Sequence, residues 1–451
     1  MKTQEVGQII DGAPFTRFHW MVMCLCALLL IFDGYDLFIY GAVLPVLMKE
    51  WGLSPVQAGA LGSYALFGMM FGAFIFGPLA DRIGRKKGVA ISFILFSLST
   101  FVSGFATTPT EFGVYRFIAG LGCGGLMPNA VALMNEYAPK RLRSTLVAVM
   151  FSGYSLGGVL CAGLGIYMLP RFGWQSMFFA AAVPLVLLPV ILWKLPESVG
   201  FLLRHGKEDI ARSMLAQVAP QVRIDADAQL VQAEAKGAGV PMLDLFKHQR
   251  AVGTLMIWLS FFCCLLMVYA LGSWLPKLMA SAGYSLGSSL SFLLALNFGG
   301  VVGAISGGWL GDRFTLPKVV LGFFALGTVA IALLGINSPM AMLYLLIIIA
   351  GATTIGTQIL LYANTAQFYP QAIRSTGLGW ASGVGRTGAI VGPLLGGWLM
   401  AASLPLSMNF VVFAVPGLVA ALAIGVFILR YRGTVPAALE RRGAAAVSRS
   451  V

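Results

Sequence analysis

The sequence predicts an all-α polytopic membrane protein: twelve transmembrane helices in two six-helix pseudo-repeat bundles. Three observations carry this. Of 451 residues, 58% are hydrophobic and only 10% charged, with a mean hydropathy of +0.86, whereas soluble domains carry about 25% charged residues. Twelve apolar segments of bilayer-spanning length follow one another along the chain. Two separate motifs recur at one shared offset of 231 residues, so a six-helix unit is used twice.

The elements follow in order. Residues 1–17 form a polar cytoplasmic N-terminal segment. Apolar segments at 18–47, 56–80, 88–107, 109–137, 145–170 and 175–193 make the N-terminal bundle, 18–193. The first of them has no small-residue cleavage site and is too long for the core of a cleavable signal peptide. Residues 194–249 are dense in charge, hold no spanning run, and form the one long cytoplasmic loop, with room for a short amphipathic helix at 207–219. Segments at 250–280, 286–311, 318–336, 339–368, 375–401 and 407–431 make the C-terminal bundle, 250–431. The tail, 432–451, is rich in Ala, Arg and Ser and reads as disordered.

The net charge of +13 raises the question of a nucleic-acid partner, and its placement answers no. Twenty-five of the 30 Lys and Arg fall in segments on one side of the predicted membrane. Three, Lys49, Arg171 and Lys277, fall on the other, and Arg116 and Arg386 lie within spans. This asymmetry puts both termini in the cytoplasm. The six cysteines, Cys24, Cys26, Cys123, Cys161, Cys263 and Cys264, all sit in apolar spans and read as small buried thiols. With only three histidines, near span ends or in loops, a metal site is not expected.

Four charged residues inside spans carry the chemistry. Asp33 and Asp36 stand three apart in the first apolar run. An ionised acid at that depth costs about 2.5–3.5 kcal/mol on insertion scales, so a protonatable or ion-coupled site is the default reading. Arg116 lies about two turns inside the fourth span and must face protein, water or an anion; a buried structural ion pair is the alternative to a functional role. Arg386 lies mid-span in the eleventh segment, in a half of the sequence with few acids, and suits Asp33, Asp36 or a substrate carboxylate held bidentately. Asn129, Asn297, Gln358, Asn364 and Gln367 are the other polar candidates, and Tyr40, Tyr64, Tyr154, Tyr269, Trp274, Tyr362 and Trp380 could line an aromatic pocket. Taken singly, such residues are more often helix–helix hydrogen bonds or interface anchors. The substrate-binding set is Asp36, Arg116, Asn129, Asn297, Tyr362 and Arg386; the protonatable candidates for coupling are Asp33 and Asp36. Substrate is expected between the two halves.

The repeated motifs name a family. Gly77-Pro-Leu-Ala-Asp81-Arg82, followed by Gly84, Arg85 and Lys87, recurs as Gly308-Trp-Leu-Gly-Asp312-Arg313, followed by Lys318. Glu136-Tyr-Ala-Pro139 through Arg143-Ser-Thr recurs as Gln367-Phe-Tyr-Pro370 through Arg374-Ser-Thr. The first pattern resembles the loop signature of the major facilitator superfamily, where it stabilises the outward-open state. The resemblance therefore implies gating by Gly77, Asp81, Arg82, Gly84, Arg85, Glu136, Arg143, Asp312, Arg313 and Arg374. Gly77 would let helices approach closely, and Gly84 permits a tight turn. The second copy departs at Thr315-Leu-Pro, which replaces Gly84-Arg85-Lys86. Arg116, with its glycine-rich sequel to Pro128 and Asn129, resembles the superfamily's span-4 arginine motif, which is associated with proton coupling.

Asp33-Gly-Tyr-Asp36, the run Gly125-Leu-Met-Pro128-Asn129, and Leu195-Pro-Glu197-Ser198 after the sixth span look like the aromatic acid:proton symporter family. The first span is most like that of the bacterial benzoate transporters. The resemblance covers residues 15 to about 430 and implies a proton-coupled importer of an aromatic monocarboxylate, benzoate or a close relative, in a bacterial inner membrane. In that family the first-span aspartates are required for transport. The implied partners are the aromatic carboxylate, protons as coupling ion and the lipid bilayer, with no cofactor and a monomeric protein. Import of 4-hydroxybenzoate, protocatechuate or another organic acid, efflux by the same fold, and an aromatic-acid receptor remain as alternatives. No nucleophile–base pair, metal cluster or phosphate loop points to an enzyme.

Overall fold

The computed structural model describes residues 3–222, 229–231, 242–336, 338–370 and 373–431, with Thr3, Ser144, Gln229, Asp312 and Ser375 described by backbone alone. The predicted tail from 432 lies outside the described residues, as does the side chain of Asp312, one of the residues predicted to gate.

A short strand β1 (Thr3–Glu5) and helix α1 (Val6–Asp11) precede the first long helix, α2 (Arg17–Glu50). Then come α3 (Pro55–Ile83), α4 (Arg85–Ser103), α5 (Pro109–Tyr137) and α6 (Arg143–Phe172). Serine and threonine start two of these helices. Ser54 accepts from the Gln57 amide and Thr108 from the Glu111 amide, each followed by a proline whose missing N–H costs nothing at the first helical position.

The sixth predicted span is broken into α7 (Gln175–Phe179) and α8 (Ala182–Lys194). Pro184 has no N–H for the Ala180 carbonyl, which instead accepts from the Val183 amide at 3.1 Å, a tighter turn than the α-helix allows. The loop after it folds into α9 (Val199–Arg204) and the amphipathic α10 (Glu208–Val218), close to the helix expected at 207–219. A strand β2 (Gln229–Val231) pairs in parallel with β1, Gln4 opposite Leu230. Three residues are too few to leave a readable alternation, so this pair was not expected.

The remaining helices are α11 (Ala251–Ser281), α12 (Leu286–Arg313), α13 (Leu316–Leu333), α14 (Met340–Phe368), α15 (Arg374–Ala401) and α16 (Leu406–Arg430). Among the described residues, eleven helical segments are long and apolar enough to cross a membrane, α7 and α8 counting as one. The eleventh predicted span, 375–401, forms α15, whose eight glycines and Arg386 lower its hydropathy below that of the other spans.

The internal repeat is visible as geometry. A Cβ on Gly68 or Gly72 of α3 would stand 2.1 or 2.0 Å from the carbonyl oxygen of Phe117 or Leu121 on α5. At the offset of 231, Gly299 and Gly303 of α12 meet the carbonyls of Ile348 and Ala352 on α14 at 2.1 and 2.0 Å. Gly157 of α6 meets Ile31 of α2, and Gly388 of α15 meets Phe262 of α11, both at 2.1 Å. In each pair both partners are displaced by the same 231 residues. These are backbone-to-backbone helix contacts that only glycine admits.

The chain divides into two compact units. The first takes Met1–Gly237, Gly272–Asn297 and Pro393–Ser403; the second takes Ala238–Leu271, Phe298–Gly392 and Leu404–Val451. Within the first unit Gly41 lies against the Gly272 carbonyl, and the Trp274 indole N–H donates to the Pro393 carbonyl at 2.9 Å. The end of α11 thus meets α2 directly, and the end of α15 meets α3, where a Cβ on Gly59 would stand 2.7 Å from the Pro393 carbonyl oxygen.

Candidate functional site

In the first unit, α2 carries Asp33 and Asp36 one turn apart, and α5 carries Arg116; the three are at most 1% exposed. The Arg116 guanidinium grips Asp36 twice. Its Nη1 donates to Oδ1 at 2.7 Å and its Nη2 to the Asp36 backbone carbonyl at 2.9 Å. Thr100 of α4 donates its hydroxyl to the same Oδ1. The thiol of Cys123, two turns along α5 from Arg116, approaches Oδ2 at 3.6 Å. The guanidinium carbon lies 5.9 Å from the centre of the Phe178 ring of α7, a cation–π contact that the break in the sixth span positions.

This is a desolvated ion pair with a polar shell. Burying both charges is costly, and pairing with further hydrogen bonds offsets the cost. Arg116 Nε has no hydrogen-bond partner, so a donor remains on a cation already buried. A carboxylate ligand that replaces Asp36 on the guanidinium leaves Asp36 an unpaired buried anion, unless a proton neutralises it. Competition of this kind ties anion binding to protonation.

The loop motif forms a second cluster. Arg85 pairs with Asp81 at 2.6 Å and with Glu136 at 3.4 Å, and donates to Asn129 Oδ1 at 3.0 Å. Asn129, assigned to the substrate site from sequence, is therefore bonded to the loop motif, with its amide also donating to the Gly125 carbonyl. Gly84 adopts φ +103°, and a Cβ there would stand 2.5 Å from Glu197 Oε2. Glu197 Oε1 accepts from the Lys86 amide at 3.2 Å, so a carboxylate caps the start of α4. Arg143 pairs with Asp11 at 2.6 Å and donates to the Ala138 carbonyl. Its repeat mate Arg374 donates to the Tyr369 carbonyl, again with both partners displaced by 231. Arg82 is exposed, and Arg313 lies 4.4 Å over the Trp309 ring. The sequence reading has Gly77 serving close helix approach; in this structure a Cβ there would meet nothing within 4 Å.

In the second unit Arg386 is buried on α15. Tyr362 of α14 shares a hydrogen bond with Ser382 and sets its ring edge-on to Phe261 at 5.0 Å. Trp258 and Trp380 stack at 6.0 Å. Asn297, in the first unit, donates to the Leu293 carbonyl and lies against Gly158.

Sequence reasoning missed Thr100, Cys123 and Phe178 around the ion pair, and Glu197 and Asp11 in the loop clusters. The sequence makes Cys123 one more small buried thiol, which it is, while Cys24, expected to be buried with the others, is exposed. Thr100 and Phe178 look like ordinary packing in an apolar run, and only the spatial arrangement singles them out.

Buried opposite charges on the first and fourth long helices of a duplicated six-helix unit define a polytopic membrane protein with its ionisable machinery held inside. The Major Facilitator Superfamily profile matches residues 26–386 and, in a second alignment, 298–450, and the chain belongs to that superfamily. A benzoate transport protein of Acinetobacter baylyi is 48% identical over 419 residues, covering 91% of this chain and 90% of the relative. The gentisate transporter of Corynebacterium glutamicum is 40% identical, over 88% and 85%. The 4-hydroxybenzoate transporter PcaK of A. baylyi is 35% identical, over 93% of each. Among solved structures, the partially occluded inward-open xylose transporter XylE from E. coli aligns with TM-score 0.70 at 18% identity, covering 92% of this chain and 98% of that one, a likeness of fold.

Proposed function

We propose that this protein imports an aromatic monocarboxylate, benzoate or a near relative, together with protons. The observation that carries the reading is the buried Asp36–Arg116 pair, 2.7 Å apart, in a chain nearly half identical to a benzoate transport protein. A proton from outside neutralises Asp36. Arg116 then lets go of the carboxyl and can take the substrate carboxylate, while Asp33, one turn away, is the second proton site. Arg386 is the alternative carboxylate partner, with Phe261 packed at the preceding Gly385 and Tyr362 bonded to Ser382 one turn earlier offering apolar surface to an aromatic ring. The Arg85 and Glu197 clusters gate the conformational exchange. The charge distribution supports both termini in the cytoplasm, and the reading is of an inner-membrane protein that works as a monomer without a cofactor.

One proton per benzoate anion is electroneutral and is driven by about 1.4 kcal/mol per pH unit. A second proton adds the membrane potential, about 2.3 kcal/mol per 100 mV. The test is uptake of labelled benzoate into proteoliposomes under an inward proton gradient at external pH near 7, against empty liposomes because neutral benzoic acid crosses lipid. Protonophore-sensitive uptake above that baseline is expected. In Asp36→Asn the gradient should no longer drive accumulation, while exchange of internal for external benzoate persists. Wild-type uptake no greater than empty liposomes, with folded protein, removes benzoate. The same assay with 4-hydroxybenzoate, gentisate and protocatechuate, and with the gradient reversed, then decides among related acids and export.

A further inference from the structure

A threonine inside a helix ordinarily turns its hydroxyl back onto the carbonyl one turn earlier. Thr354, Thr357 and Thr365 of α14 and Thr328 of α13 do so. Thr100, fully buried on α4, instead donates across to Asp36 Oδ1, the oxygen that Arg116 also holds. The two donors differ in what they can do next. A guanidinium only donates, so it serves the carboxylate and has nothing to offer a carboxylic acid O–H. A hydroxyl both donates and accepts, so it can rotate and receive the proton's hydrogen bond once Asp36 is neutral.

We infer that Thr100 is a positioning residue for the proposed coupling reaction: its hydroxyl stays bonded to the Asp36 carboxyl in both protonation states, while Arg116 holds that carboxyl in only one. Without it, the protonated Asp36, taken out of Arg116's grip, is left with a buried O–H lacking this acceptor. The inference rests on the proton-coupled reading above. The titratable and charged groups facing Asp36 are Asp33 and Tyr35 from its own helix, Arg116 and Cys123 from α5, and Cys161 from α6. Phe178 of α7 faces the guanidinium. Thr100 itself does not titrate in this range, so a change in pH dependence among its variants reports on the groups it touches.

The variants are Thr100→Val, which keeps the shape and removes the hydroxyl, and Thr100→Ser, which keeps the hydroxyl. Bonds to charged partners are about twice as strong as neutral ones, so removing the hydroxyl weighs more on the charged form. The alkaline limb of benzoate uptake against external pH should move up by about one pH unit in Thr100→Val. The maximal rate of gradient-driven uptake should fall by about tenfold, and Thr100→Ser should restore both toward wild type. If Thr100→Val does not yield monodisperse protein, Thr100→Ala removes the same hydroxyl with less bulk and is read the same way. A folded variant without the hydroxyl that keeps the wild-type pH profile overturns the inference, as does a folded Thr100→Ser that behaves like Thr100→Val. Wild-type protein run in parallel separates the two failures: if it shows no proton-driven uptake, the functional reading has failed; if it does, only the role of Thr100 has.

Discussion

Arg116 and Asp36 are each about 1% exposed, and neither can lose its partner without leaving a buried charge behind. Removing one member of such a pair typically costs about 3–5 kcal/mol, whereas neutralising both together costs far less. Arg116→Ala should therefore lower the melting temperature in detergent more than Asp36→Asn combined with Arg116→Gln does. A double variant as unstable as the sum of its singles would mean the two side chains contribute independently. Both residues announced themselves in the sequence, because ionisable groups in apolar runs are rare and expensive. Which acid meets the arginine did not: Asp33 and Asp36 lie on the same face of one helix, and only the crossing of α2 and α5 brings Asp36 to the guanidinium. Asn129 shows the same limit. Its position in a span suggested a binding cleft, and its bond to Arg85 ties it to the loop motif.

Helix lengths, most boundaries and the repeat were legible because apolarity over some twenty residues and a shared offset are strong one-dimensional signals. The break between α7 and α8 rests on one absent N–H, at Pro184, and the β1–β2 pair on three residues, so neither left a periodic trace. Two glycines of the loop motif separate folding from gating. Gly84 needs its positive φ and gives room to Glu197, so Gly84→Ala should destabilise the protein by about 1–2 kcal/mol, read as a lower melting temperature. Gly77 is helical with open space beside it, so Gly77→Ala should leave stability unchanged or raise it by up to about 1 kcal/mol. If Gly77 acts in gating, close approach there belongs to another conformation, and uptake by Gly77→Ala should fall at unchanged melting temperature. Unchanged uptake would take Gly77 out of the gate.

Across the whole molecule the scaffold is duplicated and the chemistry is not. Glycine contacts and the Arg143 and Arg374 carbonyl bonds recur at 231 residues with both partners kept. At the same offset Asp36 becomes Met267, Arg116 becomes Ile347 and Arg85 becomes Leu316, while Arg386 corresponds to Ser155. Two halves that must hinge alike share their packing, but each carries a different buried cation. This division predicts different transport defects. Arg116 is bonded to the acid proposed to take the proton, so its loss should disrupt driven uptake whatever the substrate concentration. Arg386 is buried without a counterpart in the other half, and a role in holding the substrate carboxylate should appear as affinity. Losing one charge-assisted hydrogen bond, about 1.5–3 kcal/mol, corresponds to roughly a 10- to 150-fold weaker half-saturation. Arg386→Ala should therefore raise the benzoate concentration for half-maximal exchange by that factor, with the pH dependence of uptake at saturating substrate unchanged. A half-saturation equal to wild type would leave Arg116 as the arginine that meets the carboxylate.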